Sequence, residues 1–247
     1  MKKLGLIGFP LGHSFSARYF NAKFGCEPLK EWSYENFPIE NIEMVKDVII
    51  ENPTLQGFNV TIPHKVAIIP FLTEIDPTAK RIGAVNCVKI LSDGKLKGYN
   101  TDIIGFRKSL TDMIGSSRPN ALVLGSGGAS KAVCTALADM NIDYQLVSRK
   151  SSSSAISYQE LTDSIIESHK LIINTTPLGM SPDIDLYPDI NYDAITPKHF
   201  IFDLIFNPSE TKFMQKARLQ KATVKNGYQM LVQQADAWWA IVSGLSF

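Results

Sequence analysis

Ala121-Leu122-Val123-Leu124-Gly125-Ser126-Gly127-Gly128-Ala129-Ser130 stands near the middle of the 247-residue chain. The four apolar residues read as a buried strand, and the glycines after them open into a helical pattern from Ala129 to Met140. A strand that ends in Gly-x-Gly and feeds a helix lets backbone N–H groups and the positive end of the helix dipole approach a pyrophosphate closely. Glycine after a strand also serves any tight turn. Here the flanking strand and helix stand where a dinucleotide fingerprint wants them, and Ser130 in the third glycine position is small enough for close helix–strand packing.

Downstream, a strand over 143–147 ends in Ser148-Arg149-Lys150, with Arg149 24 residues beyond Gly125. An acidic residue near this spacing accepts ribose hydroxyls in NAD sites, whereas arginine accommodates a 2′-phosphate. Two cations and no carboxylate favour NADP; a solvated surface pair is the plainer alternative. Further strands at 171–174 and 200–205 alternate with helical stretches, which makes this half a doubly wound nucleotide domain. Ser151 to Ser154 reads as a low-complexity loop.

Upstream, Leu4–Gly8 reads as a buried strand and Ser16–Phe24 as a helix capped by Ser14 or Ser16. Trp32–Tyr34 is a second strand, Ile42–Ile50 a helix, and Leu55–Val60 a third strand ended by Pro63. Val85–Leu91 and Lys95–Tyr99 flank Ser92-Asp93-Gly94, a hairpin signal, and a helix starts at Asp102. The expected fold class is α/β in two domains: residues 1–101 with a mainly parallel sheet, and 102–227 as a Rossmann-like doubly wound layer. Tyr228–Ile241 is apolar and helical, and its pattern does not say which half it covers.

The 25 basic and 24 acidic residues give a net charge of +1, no field for gripping a nucleic-acid backbone. Cys26, Cys87 and Cys134 are odd in number and widely spaced, which argues against a disulfide framework or a zinc site. No metal is expected. Gly5, Gly8, Pro10 and His13 break the apolar run after Met1-Lys2-Lys3-Leu4, and no later segment approaches about 20 apolar residues. The expectation is a soluble cytoplasmic protein that touches neither membrane nor nucleic acid, a monomer or homodimer.

Three segments place polar groups at strand ends, where α/β sheets bind ligands. In Gly8-Phe9-Pro10-Leu11-Gly12-His13-Ser14-Phe15-Ser16 two hydroxyls precede a helix and suit either an anion or ordinary capping. In Gly57-Phe58-Asn59-Val60-Thr61-Ile62-Pro63-His64-Lys65 a lysine at a helix start is electrostatically misplaced and so invites a reason. In Gly98-Tyr99-Asn100-Thr101-Asp102 the carboxylate opens a helix, favourable even without a function. Lys65 paired with Asp102 makes a proton-transfer dyad beside a hydride carrier. His13 and His64 lack metal-like neighbours and read as structural.

Taken in order, these segments resemble the shikimate dehydrogenase family over nearly the whole chain. Asn59 to Lys65 is similar to its Asn-Val-Thr-x-Pro-x-Lys motif, Gly83-Ala84-Val85-Asn86-Cys87 to Gly-Ala-Val-Asn-Thr, and Gly98 to Asp102 to Gly-x-Asn-Thr-Asp. Asn174-Thr175-Thr176-Pro177-Leu178-Gly179-Met180 and Asn226-Gly227-Tyr228-Gln229-Met230-Leu231, followed by Gln234-Ala235, complete the series.

The resemblance implies reversible, NADPH-dependent reduction of 3-dehydroshikimate to shikimate in aromatic amino-acid and chorismate biosynthesis. It implies that Ser14 and Ser16 hold the substrate carboxylate and that Thr61, Asn86, Asp102 and Gln234 bind ring hydroxyls and carbonyl. Lys65 is then the acid/base and Asp102 its partner. Gly125, Ser126, Gly127, Gly128, Ala129 and Ser130 cradle the pyrophosphate. Ser148, Arg149 and Lys150 face the 2′-phosphate, and Thr175, Thr176, Met180, Leu204 and Gly227 lie along ribose and nicotinamide. Residues 228–247 are expected to pack back onto a substrate-binding domain at 1–101, leaving 102–227 as the NADP-binding domain.

Departures from the pattern touch binding rather than the dyad. Phe206 stands where the family often has Tyr, Cys87 replaces a usual Thr, Ser148 a usual Asn and Lys150 a common Thr. Rivals are an NAD-preferring quinate/shikimate dehydrogenase, a methylene-tetrahydrofolate dehydrogenase, whose pattern the Asn-Val-Thr segment and paired serines fit poorly, and a nucleotide-sensing module without catalysis, against which Lys65 and Asp102 both speak.

Overall fold

The computed structural model describes residues 1–12, 15–25 and 28–244. The chain forms two compact units, Met1–Thr101 with Ala235–Phe247, and Asp102–Gln234.

The first unit runs β1 (Lys2–Gly8), α1 (Phe15–Phe24), β2 (Trp32–Pro38), α2 (Val45–Glu51), β3 (Leu55–Val60), β4 (Glu74–Ile75), α3 (Pro77–Ile82), β5 (Cys87–Ile90) and β6 (Leu96–Tyr99). These strands form one sheet in the order β2-β1-β3-β5-β6-β4. Three of its pairings are parallel, while β5 runs antiparallel to both β3 and β6. β1 and β3 are central and covered on both faces, which is why they read as near-continuous apolar runs. Local chemistry sets α3: Asp76 accepts from the Thr78 and Ala79 N–H groups, Pro77 occupies the first turn, and Gly83 ends the helix at φ +68°.

The second unit runs α4 (Asp102–Ile114), β7 (Ala121–Leu124), α5 (Gly128–Asp139), β8 (Tyr144–Ser148), β9 (Ala155–Ser157), α6 (Asp163–Ser168), β10 (Leu171–Asn174), β11 (Phe200–Asp203), α7 (Lys212–Leu219), β12 (Thr223–Lys225) and α8 (Tyr228–Ser243). Its sheet is parallel throughout in the order β12-β11-β10-β7-β8-β9. From β7 the chain builds outward on one side through β8 and β9, then on the other through β10, β11 and β12. The order therefore reverses between β7 and β10, the switch point at which doubly wound sheets leave a ligand crevice. The α/β expectation of a mainly parallel sheet followed by a Rossmann-like one is borne out.

Sequence and structure differ in detail. The helix expected over Ile42–Ile50 starts as a 3-10 turn at Ile42–Met44, capped by the Asn41 side chain, before α2 begins. Residues 62–68 form turns rather than an α-helix, with Ile69–Phe71 a 3-10 turn. Pro63 and Pro70 withdraw the N–H groups an α-helix needs there. Lys65 is accordingly not at a helix start, and the electrostatic misplacement read from the sequence does not arise. β4, β9 and β12, of two or three residues, are too short to show a periodic pattern.

The α8 segment from Ala235 onward belongs to the core of the first unit. Ala235, Trp238, Trp239 and Val242 pack with Leu4, Leu6, Phe20, Phe24, Tyr34 and Cys87. Trp238 is fully buried and lies over Gly57: a Cβ there would come within 2.6 Å of the Val88 carbonyl oxygen and 2.9 Å of the indole. Glycine is the residue that lets the ring reach the sheet. Gly57→Ala is expected to cost about 1–3 kcal/mol by overpacking, seen as a lower urea midpoint; an unchanged midpoint would show that the indole moves aside freely.

Candidate active site

In the first unit the strand ends converge through backbone bonds. The Thr61 N–H donates to the Ile7 carbonyl at 2.9 Å, the Val60 N–H to the Asn86 carbonyl at 2.7 Å, and the Asn86 N–H to the Tyr99 carbonyl at 3.0 Å. Thr61, Asn86 and Thr101 are thus gathered at one edge of β1, β3 and β6. A Cβ on Gly8 would lie 2.4 Å from Thr61 Cγ2, so glycine admits that threonine. The Asn86 amide donates to Thr101 Oγ1 at 3.1 Å and accepts from the Thr101 N–H at 2.8 Å. Lys65 is half-buried, its carbonyl accepting from the Val85 N–H at 2.8 Å. Next to it, His64 is buried with its ring Nε2 2.8 Å from the Ile39 carbonyl, a structural role. Ser16 is half-buried in the first turn of α1. Ser14 and His13 lie outside the described residues.

The second unit opens on Asp102, buried at the first position of α4. One turn on, Gly105 brings α4 against α8 backbone to backbone: a Cβ there would lie 2.3 Å from the Met230 carbonyl and 3.0 Å from the Gln234 nitrogen. Gln234 is buried, its amide donating to the Leu231 carbonyl at 3.0 Å.

At the switch point Gly125 turns with φ +105°, and a Cβ on it would meet Thr175 Oγ1 at 2.9 Å and Thr176 Cγ2 at 2.8 Å. The Thr175 hydroxyl donates to the Leu124 carbonyl at 2.7 Å. Ser126 is exposed. Gly127 caps α5 and faces open space, with no heavy atom within 4 Å of where its Cβ would be. The Ser130 hydroxyl donates to the Gly127 carbonyl at 2.6 Å, tying the turn to the helix that Gly128 and Ala129 begin. Open backbone N–H groups at a helix N-terminus fit the pyrophosphate of a dinucleotide. At the end of β8 the Ser148 hydroxyl donates to the Lys150 carbonyl at 2.5 Å. Arg149 and Lys150 are exposed and have no ion-pair partner among the described residues, so both remain free for a phosphate.

One buried carboxylate holds the far side of this crevice. Asp203 Oδ1 accepts from Asn174 Nδ2 at 3.0 Å and from the Ile205 N–H at 3.1 Å, and Oδ2 accepts from the Thr211 hydroxyl at 2.6 Å. Asn174 Oδ1 in turn accepts from the Thr176 N–H at 3.0 Å and hydroxyl at 2.6 Å. The Leu204 N–H donates to the Asn174 carbonyl at 3.0 Å. A Cβ on Gly227 would lie 2.0 Å from the Leu204 carbonyl, so those two positions touch as well. Met180 stands exposed beyond the Pro177 turn.

Residues 6–88 match the family model for the shikimate dehydrogenase substrate binding domain. The NADP-dependent shikimate dehydrogenase of Methanosphaera stadtmanae is 38% identical, over 97% of this chain and 90% of the relative. The chain belongs to the shikimate dehydrogenase family. A crystal structure of a shikimate dehydrogenase in complex with NADP+ superposes with a TM-score of 0.87 at 36% identity, covering 99% of this chain and 90% of the other. The Thermus thermophilus enzyme in complex with NADP(H) and shikimate gives 0.86 at 28%, covering 99% and 94%.

In this shikimate dehydrogenase chain, sequence reasoning gave no role to Asp203 or Asn174. The available signal was an acidic residue closing the apolar strand Phe200-Ile201-Phe202-Asp203. Burial pushes the Asp203 carboxyl up from 3.8 to about 6, against the opposing pull of its bonds from Thr211, Ile205 and Asn174. A raised acid binds its proton more tightly folded than unfolded, so its contribution to stability is full below about pH 4 and is lost as pH rises through about 6. At about 1.4 kcal/mol per unit the swing is at most about 3 kcal/mol. Asp203→Asn should remove this component. Urea unfolding of both proteins between pH 4 and 7 checks it, and parallel pH profiles would contradict the assignment.

Proposed function

We propose that this chain is an NADP-dependent shikimate dehydrogenase that interconverts 3-dehydroshikimate and shikimate in aromatic amino-acid biosynthesis. The reading is carried by the match, along almost the full chain, to relatives of that activity, one of which is held with both NADP(H) and shikimate. The open glycine turn at the β7–β10 switch point supports it independently.

The N–H groups of Gly125 to Ser130 hold the pyrophosphate, and Ser148, Arg149 and Lys150 the 2′-phosphate. Thr175, Thr176, Met180, Leu204 and Gly227 line the ribose and nicotinamide. Bound NADPH supplies hydride to the C3 carbonyl carbon. Ser14 and Ser16 hold the carboxylate of the acid, while Thr61, Asn86, Asp102 and Gln234 fix ring hydroxyls and carbonyl. As hydride arrives, the carbonyl oxygen gains charge, and the Lys65 ammonium gives it a proton; Asp102 orients that ammonium. In the reverse direction Lys65 takes the proton from the C3 hydroxyl. Phe206 has no hydroxyl to add to the substrate's hydrogen bonds.

We divide the labour between residues 1–101, which bind substrate, and 102–227, which bind NADP. Its three widely spaced cysteines favour a reducing cytoplasm, in which the protein acts as a monomer or homodimer. No helix among the described residues is long and apolar enough to cross a membrane.

The experiment is a matrix of shikimate or quinate against NADP or NAD, followed at the NADPH absorbance band. Shikimate with NADP should be oxidised fastest; no turnover of shikimate with either cofactor, despite tight NADP binding, would favour a nucleotide-sensing module. Lys65→Ala should lower kcat by about 10²–10⁴-fold, the usual worth of general acid–base help, with little change in KM. Arg149→Ala should raise the KM for NADP far more than that for NAD, and equal effects on both would remove Arg149 from the 2′-phosphate site.

A further inference from the structure

Behind Ser16 runs a buried chain of polar groups that no substrate atom touches. The Ser16 hydroxyl is hydrogen-bonded to the Tyr34 phenol. Tyr34 donates to Asn59 Oδ1 at 2.7 Å, and Asn59 Nδ2 lies 3.2 Å from Cys87 Sγ. Cys87 Sγ is 3.3 Å from Thr101 Oγ1, which accepts from Asn86 Nδ2 at 3.1 Å. Tyr34, Asn59, Cys87, Thr101 and Asn86 are each at most 5% exposed. The chain therefore joins a serine in α1 to Asn86 beyond β3, and it is embedded in the apolar cluster of Leu4, Leu6, Phe20 and Trp238.

A buried phenol among aromatic rings is costly unless its oxygen and proton are both used. Phe20 stacks on Tyr34 with centroids 4.9 Å apart and planes 10° from parallel, which fixes the ring and hence the place of its oxygen. That oxygen is the fixed point against which the Ser16 hydroxyl is set.

The polarity of the chain decides what Ser16 can do. A serine hydroxyl has one proton. With Tyr34 donating to Asn59, the Ser16 proton points at Tyr34 and is not offered to an anion. Turning the Asn59 amide by half a turn keeps every heavy-atom contact and reverses the polarity. Asn59 Nδ2 then donates to Tyr34, the phenol donates to Ser16, and the Ser16 proton is released outward. The rest of the chain accommodates this: Asn86 donates to Thr101, Thr101 to the Cys87 sulfur, and the Cys87 thiol to Asn59 Oδ1.

We propose that Tyr34, backed by Asn59 and Cys87, is a positioning residue for substrate binding: it holds the Ser16 hydroxyl in place and turns its proton toward the substrate carboxylate. This rests on the reading of Ser16 as a carboxylate ligand given above. The chain runs from one end of the substrate to the other, so the serine that grips the acid and the asparagine that grips the ring are set by one hydrogen-bonded network. Cys87, where the family usually has threonine, makes its middle link a thiol, a weaker donor than a hydroxyl.

Steady-state oxidation of shikimate and of its methyl ester with NADP tests this, in the wild type, Tyr34→Phe, Ser16→Ala and the double variant. The wild type must first oxidise shikimate; if it does not, the functional reading falls and this inference with it. Given that activity, Tyr34→Phe should raise the KM for shikimate about tenfold, the worth of a hydrogen bond to a charged group. Its kcat and KM for NADP should stay within about twofold, and the preference for the acid over the ester should shrink. In the Ser16→Ala background Tyr34→Phe should add nothing. Equal losses for acid and ester, a fall confined to kcat, or a full further loss in the Ser16→Ala background would each overturn the proposal. If Tyr34→Phe does not fold, Cys87→Val cuts the same chain one link further back; a smaller rise in the shikimate KM supports the proposal, and an unchanged ratio of acid to ester overturns it.

Discussion

Much of the second unit depends on one close approach of backbone to side chain. Gly125 turns at φ +105° against Thr175 and Thr176, in space that no Cβ shares. An L-residue there would be strained by its backbone angle and would also push the two threonines off the end of β10. Because Thr175 and Thr176 are tied to Leu124 and Asn174, and Asn174 to Asp203, that displacement would pass across three strands. The switch point is therefore a set of loops with little freedom to move singly.

The two units solve the same problem differently. Each must hold polar groups at strand ends inside an apolar surround, and each does so with a buried network rather than with surface ion pairs. In the second unit the anchor is a carboxylate saturated by three donors, Asn174, Ile205 and Thr211. In the first the links are neutral: phenol, amide, thiol and hydroxyl. Neutral links can exchange donor and acceptor roles without a charge appearing, whereas a buried carboxylate answers to pH.

The strands were the most legible feature of the sequence. Leu55–Val60, Ala121–Leu124 and Leu171–Asn174 were read with the bounds they have, because apolar runs ended by glycine, proline or polar residues leave little choice. The Gly125–Ser130 turn and the hairpin around Gly94 were legible for the same reason, since few residues can adopt their backbone angles. Lys65 was read at a helix start where two prolines leave only turns. What stayed hidden was the support behind the candidate ligands. Tyr34 and Asn59 sit on strands separated by β1, and Asn174 and Asp203 are 29 residues apart. No local pattern announces a bond between residues that only the sheet brings side by side.

The antiparallel hairpin of β5 and β6 has one more consequence. Asn86 and Thr101 stand at its open end, where the polar groups of the first unit gather. Its tip, Ser92-Asp93-Gly94, is exposed, and Gly94 faces empty space. The strands between are four residues long, roughly 13 Å. The tip is thus a place where the chain can be lengthened, tagged or labelled with a fluorophore, and a probe there would report from the ligand-binding unit while leaving its ligand-binding end untouched.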